Sequence, residues 1–217
     1  MPTWRRWVKP IRARARRKRH EVFLQLIAPL PRPISIVDVG GAQRFWELVE
    51  LIDQNEVNVT LVNVRPMPTR YPNFQSVTGD ARSLTQFGDR AFDVVFSNSV
   101  IEHVGSYEDQ AAMAGEVMRI GRYFYVQTPN RRFPIEAHFY FPLFQFLPTR
   151  LRVWLVRSLP LYPGGRIKSR ARALEVVSEI RLMTLRELKA LFPGAKVRRE
   201  KTLGLTKSFM VFGESPR

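Results

Sequence analysis

The sequence predicts an α/β domain built on a doubly wound, mostly parallel sheet of about seven strands, completed by a C-terminal antiparallel hairpin. Three observations predict it. Short runs of strand length alternate with segments of helical period from residue 33 onward. The first run, Ile34 to Val39, is apolar enough for a strand covered on both faces. The last two runs lie close enough along the chain to pair as a hairpin.

Taken in order, Glu21 to Leu30 carries Val22, Phe23, Leu26, Ile27 and Leu30 at helical spacing and is stopped by Pro31 and Pro33. Ile34 to Val39 is bounded by Pro33 and by Gly40-Gly41, the punctuation of a buried strand. Residues 43 to 54 return to helical period through Phe45, Trp46, Leu48, Val49 and Ile52. Val57 to Val64, Phe74 to Val77, Phe92 to Ser97 and Tyr123 to Thr128 read as further strands, with a helix over Asp109 to Ile120. This alternation implies right-handed crossovers throughout. Leu185 to Phe192 forms a helix ended by Pro193-Gly194, and Ala195 to Lys201 and Ser208 to Phe212 supply the hairpin.

Two segments stand apart. Residues 1–32 are expected to form a basic arm and a helix ahead of a single domain spanning 33–217, and residues 129–168 an insertion with six prolines and many aromatics. Trp4, Trp7 and Ile11 recur at spacings of three and four among arginines, a basic amphipathic pattern. Within the insertion Leu147, Leu151, Trp154, Leu155 and Leu159 recur similarly, punctuated by Arg150, Arg152 and Arg157. The net charge of +16 is carried entirely by residues 1–20 and 131–172, and the rest is close to neutral. An anionic partner is therefore expected at residues 1–20 and 139–172: a membrane surface first, nucleic acid less so. A solvated charged face is the plainer alternative.

Composition excludes several classes. There is no cysteine, so disulfides, thiolate nucleophiles and zinc–thiolate sites are ruled out. With only His20, His103 and His138, a dedicated metal site is not expected. No stretch reaches the roughly 18 to 20 apolar residues of a spanning helix, and the apolar run from Val22 lacks the features of a secretory signal. A cytoplasmic protein, peripheral to a membrane, is the expectation.

In an open α/β sheet, ligands bind beyond the carboxyl ends of the strands, near the point where strand order reverses. Those ends carry Asp38-Val39-Gly40-Gly41-Ala42 after the first strand, Asn63 after the second, Gly79-Asp80-Ala81 after the third and Ser97-Asn98-Ser99-Val100-Ile101-Glu102-His103-Val104 after the fourth. Glycines there let a backbone approach a ligand closely. Asp38 has two readings, as a cap of its own turn or as a ligand contact.

This series resembles class I S-adenosylmethionine (SAM) dependent methyltransferases, in particular the methyltransferase type 11-like group that includes quinone-biosynthesis enzymes. The resemblance covers roughly residues 33 to 130, and its most specific piece is Ser97 to Val104. It implies a Rossmann-like sheet, SAM as cofactor, and a small-molecule or lipid-like methyl acceptor. It further implies that Asp38, Gly40, Gly41 and Ala42 receive the methionine part, Asp80 and Ala81 contact adenine, Ser97 and Asn98 line the pocket, and Asn63 faces the ribose. The family's ribose-binding acid is Asn63 here, which predicts a weaker hold on the hydroxyls. In the insertion, where the family builds its acceptor site, His138 becomes the candidate general base, with Glu136 beside it. Glu102-His103 either orients its loop or joins His138 in catalysis.

Two other functions use the same residues: an RNA methyltransferase, whose basic arm would track phosphates, and a non-catalytic SAM-binding protein on the same fold. A nicotinamide enzyme is disfavoured because Ala42 and Phe45 break the Gly-x-Gly-x-x-Gly pattern.

Overall fold

The computed structural model describes residues 20–162 and 164–216. The basic amphipathic segment 3–19 and its anticipated surface contact therefore lie outside the described residues. What is described opens in helix α1, which runs through residue 27. Phe23 and Ile27 on one face of it are buried, which follows from their spacing of four.

Seven strands form one sheet: β1 (Ile34–Val39), β2 (Val57–Asn63), β3 (Phe74–Thr78), β4 (Phe92–Asn98), β5 (Gly121–Pro129), β6 (Lys196–Thr202) and β7 (Leu205–Glu214). Their spatial order is β3-β2-β1-β4-β5-β7-β6. Strands β1 to β5 pair in parallel, while β7 runs antiparallel to both β5 and β6. The Rossmann-like sheet and its C-terminal antiparallel hairpin are thus as the sequence predicts. Strand order reverses between β1 and β4, so the ends at Val39 and Asn98 flank the switch point.

The helices are α2 (Gln43–Leu48), α3 (Tyr107–Ile120), α4 (Thr149–Ser158), α5 (Arg170–Ser178) and α6 (Leu185–Leu191). Reciprocal capping boxes fix two of them. Ser106 and Asp109 start α3, and Thr184 and Glu187 start α6. One face of the sheet is covered by α1 and α2, where Phe23, Trp46, Phe96 and Tyr125 meet edge-on or stacked. The other is covered by α3 and α6, through Met113, Val117, Leu188 and Phe192.

Strict alternation of strand and helix is not observed. Residues 64–73 and 79–91 cross between strands without a helix. Pro66, Pro68 and Pro72 deny the first crossover a helical interior. In the second, α3 takes over the pairing that a helix would supply. The Glu116 carboxylate accepts from the backbone of Leu84, and the Arg119 guanidinium donates to the carbonyls of Leu84 and Phe87. Helix α2 is also shorter than the periodicity suggests: Glu50 adopts φ 58, and Leu51 and Ile52 pack on the core from a loop.

Between β5 and α6 the chain builds a third core of its own. Phe139 and Phe144 stack at 4.2 Å, and Val153 and Val156 of α4 meet Ala173, Val176 and Val177 of α5. The apolar stripe of α4 is split. Leu155 points into this core, whereas Trp154, Leu151 and Leu159 are exposed, with Trp154 at 58%. No helix among the described residues is long and apolar enough to cross a membrane.

Candidate active site

The loop after β1 is built on a buried acid. Asp38 is almost fully buried, and its Oδ2 accepts from Trp46 Nε1 at 2.8 Å, which docks α2 against the strand end. Its Oδ1 has no partner. Burial pushes the carboxyl up to about 7, with the Trp46 hydrogen bond pulling the other way. Glycine is obligatory directly above: a Cβ at Gly41 would fall 1.7 Å from Asp38 Oδ2. At Gly40, with φ +76, a Cβ would meet Val100 at 2.5 Å. Asp38 therefore carries the loop from beneath, and of its two readings the structure favours the supporting one.

The other strand ends converge on this loop. Asn63 Nδ2 donates to the Gly41 carbonyl at 2.9 Å, leaving its own amide oxygen for another donor. A carboxylate at this position would be repelled by that carbonyl, which gives a physical reason for asparagine here. Asp80 is half exposed and held in a fork by Arg82, whose contacts keep its carboxyl below the usual range. Ala81 follows it in the same turn. Ser97 differs from expectation. It is fully buried, and its hydroxyl donates to the Val39 carbonyl at 3.2 Å, so it ties β4 to β1 and does not line an open pocket. Asn98, the last residue of β4, is partly exposed.

A second group gathers one step further along the sheet edge. Ile101–His103 form a 3-10 turn after β4, pinned by Gln110 Nε2, which donates to the carbonyls of Ile101 and Arg181. This turn places Glu102 in the interior, where Oε2 accepts from Thr128 Oγ1 of β5 at 2.9 Å and Oε1 has no partner. Burial pushes Glu102 up to about 7, partly offset by its own backbone, His138 and Thr128. From the segment after β5 comes His138. The Glu136 carboxylate accepts from the backbone N–H groups of His138 and Phe139 and holds His138 Nδ1 at 2.8 Å. The far nitrogen, Nε2, then lies 4.0 Å from Glu102 Oε1.

His103 meets His138 edge to face, with ring centroids 4.8 Å apart. Burial lowers the His103 imidazole to about 4, with His138 acting in the same direction. Burial would also lower His138, but its bond to Glu136 and the charges of Glu136, Glu102 and Glu179 outweigh this and raise it. The structure thus unites Glu136, His138 and His103, and it adds Glu102 to them more firmly than sequence reading does. Glu136 also lines a cavity of about 210 Å³, walled by Phe139, Phe144 and Ile180, with Arg131 and Arg152 at its edge.

Solved structures share this fold. A SAM-dependent methyltransferase from Methanosarcina mazei superimposes with TM-score 0.53 at 15% identity, covering 88% of this chain and 96% of the other. Magnesium protoporphyrin IX methyltransferase from Synechocystis, solved with bound SAH, gives 0.54 at 14% identity over 96% and 91%. The 1,6-didemethyltoxoflavin-N1-methyltransferase of Burkholderia thailandensis, solved with bound 1,6-didemethyltoxoflavin and S-adenosylhomocysteine, gives 0.53 at 15% over 94% and 79%. No curated protein matches the sequence.

The fold and strand-end loops define a class I SAM-dependent methyltransferase. The chain belongs to the methyltransferase domain family, which matches residues 10–193. SAM is the cofactor this membership implies, and the polar groups at the strand ends suit it. The Gly40-Gly41 backbone packs on Val100 and Asp38 without room for side chains of its own, Asn63 at the tip of β2 is bonded to it with an amide oxygen left over, and Asp80 follows the end of β3.

The buried Asp38 makes stability depend on pH. Its pKa is raised by folding, so its contribution is full below the unfolded value of 3.8 and is lost as pH rises through about 7. Thermal melts from pH 5 to pH 8 should show a shallower fall in Asp38→Asn than in the parent, by an amount on the order of a few kcal/mol. Glu102 titrates in the same direction and remains in both proteins.

Proposed function

We propose that the protein transfers a methyl group from SAM to a small-molecule or lipid-like acceptor, with Gly40, Gly41, Ala42, Asn63, Asp80, Ala81 and Asn98 holding the cofactor. Asp38 and Ser97 support that site from below. When bound, SAM supplies a methyl group on a sulfonium, so the protein's work is in-line positioning and exclusion of water. Asn63 Oδ1 accepts from a ribose hydroxyl, and Asp80 leaves part of its Arg82 fork to accept from the adenine amino group.

The observation that carries the acceptor side is the alignment of His138. Glu136 fixes Nδ1 as the protonated nitrogen and turns Nε2, with its lone pair, toward Glu102 and His103 at the ends of β4 and β5. His138, positioned by Glu136 and flanked by His103, is the group offered to the acceptor's nucleophile. The adjoining cavity has aromatic walls and arginines at its edge, which suits an apolar body with an anionic group.

Lipid-like character is favoured by the exposed surface of the same region. Leu143, Phe146, Leu151, Trp154 and Leu159 are exposed beside Arg150 and Arg157, a set that can enter a headgroup layer while the arginines stay at its level. We therefore place the protein at the cytoplasmic face of an anionic membrane. The family and fold matches are silent on this point.

Separate readouts test the two halves. In calorimetry, Asp80→Ala should lose SAM binding by at least about tenfold. His138→Ala should bind SAM as the parent does yet lose methyl transfer in a SAM-consumption screen by roughly 10²-fold or more. Intact transfer in His138→Ala would remove the acceptor assignment. In flotation with vesicles containing anionic lipid at low salt, the parent should float and Trp154→Ser should float less. A parent that stays at the bottom overturns the membrane placement.

A further inference from the structure

Glu102 poses a question that the acceptor reading alone does not answer. It is fully buried, one oxygen is satisfied by Thr128, and the other has no partner. A buried carboxyl oxygen left without a partner is destabilising, the more so when the group is ionised. The nearest group that could serve, the His138 imidazole, would relieve this at hydrogen-bond distance, yet Nε2 stops at 4.0 Å. Two neighbouring features keep it there. Glu136 anchors the ring from behind through Nδ1, and the 136–139 turn is itself closed by the Glu136 carboxylate on two backbone N–H groups.

The third side of the gap is His103. One donor atom each from Glu102, His103 and His138 lie within 4.8 Å of one another. For any three points so spaced, some position lies within about 2.8 Å of all of them (4.8 Å divided by √3). Imidazole and carboxylate ligands bind transition cations at about 2.0–2.2 Å, so the donors need to close in by at most about 0.7 Å each. Glu102 is held by Thr128 and His138 by Glu136, so most of the approach falls to His103, which is partly exposed.

We propose that Glu102, His103 and His138 form a seat for one divalent transition-metal cation, a site of two imidazoles and one carboxylate with an open position toward the acceptor. The inference rests on the acceptor-side reading only for the direction of that open position. Its second shell is already in place. Glu136 on His138 Nδ1 is the carboxylate–histidine arrangement that orients an imidazole ligand and raises its basicity, and the Thr128 hydroxyl, donating to Oε2, orients the Glu102 carboxylate. Two nitrogen donors favour zinc, cobalt or iron over magnesium or calcium, which prefer all-oxygen shells. In the seat, the cation supplies the missing partner of Glu102 Oε1 and takes the His138 Nε2 lone pair, so that in the loaded protein the cation, and not His138, faces the acceptor. Counting residue types argues against a metal because the chain has three histidines. The fold answers this by using two of them at one place, 35 positions apart.

The test uses the full chain, stripped with a chelator and dialysed, with no SAM or acceptor present. Zinc calorimetry should show one site per chain at about micromolar affinity or tighter, and cobalt should give visible absorption of a low-symmetry site. Glu102→Gln and His138→Ala should weaken binding at least about 100-fold, and Glu136→Gln about tenfold. His20→Ala should leave it unchanged. Circular dichroism melts of each stripped variant show whether it is folded, and the comparison is made among those that are.

Absence of one-to-one binding below about 100 μM in the folded parent overturns the proposal, as does binding unaffected by Glu102→Gln. If no cation binds while His138→Ala still abolishes transfer, the metal inference fails and the acceptor reading stands. If cation binding depends on Glu102 and His138 while transfer survives their loss, the metal site stands and the acceptor reading fails.

Discussion

The hydrogen bond from Trp46 Nε1 to the buried carboxyl of Asp38 is the contact on which the loop at the end of β1, the proposed cofactor edge, depends. It joins the end of β1 to α2 across a turn too tight for anything but glycine, and it sets the height of the Gly40-Gly41 backbone above the sheet. Asn63 then closes the same loop from β2, and Ser97 closes it from β4. Three strands are thereby clamped to one short loop at the point where strand order reverses. The cost is a carboxyl group with one unpartnered oxygen in the interior, held near neutrality by burial.

A second buried carboxyl, Glu102, plays a comparable part for the acceptor edge. The two acids sit at the ends of neighbouring strands, and both are raised to about 7. They differ in what surrounds them. Asp38 has an indole and backbone around it and acts as a prop. Glu102, equally buried, faces two imidazoles, with its free oxygen 4.0 Å from His138 Nε2. Strongly shifted groups gathered together are a common mark of a working site, and the surroundings of the two acids give each the part proposed for it.

Much of this was legible in the sequence because the central strands leave little freedom. Ile34 to Val39 and Phe92 to Ser97 are apolar runs of strand length ended by glycine or polar residues, and no helix of ordinary length accommodates them. What was not legible follows from the same fact. In a strand covered on both sides, alternation does not say which residues face a ligand, and the burial of Asp38 against Trp46 and of Ser97 against the Val39 carbonyl has no sequence signal. Helix α5 escaped notice because its buried residues, Ala173, Val176 and Val177, are few and small and follow a basic stretch. The approach of Glu102 to His138 has no sequence signal, since it depends on the Glu136 turn and on Thr128 from β5. The helix-free crossovers were concealed in the same way, because Glu116 and Arg119 satisfy them from α3.

The claim that everything else leans on is that the bare loop over Asp38 receives the cofactor. A crystal structure of the protein soaked with S-adenosylhomocysteine tests it most directly. The account predicts density over Gly40 to Ala42, with the ribose beside Asn63, the adenine beside Asp80 and the sulfur pointing toward His138. Density bound elsewhere on the molecule, or an unchanged loop at saturating ligand, would contradict it.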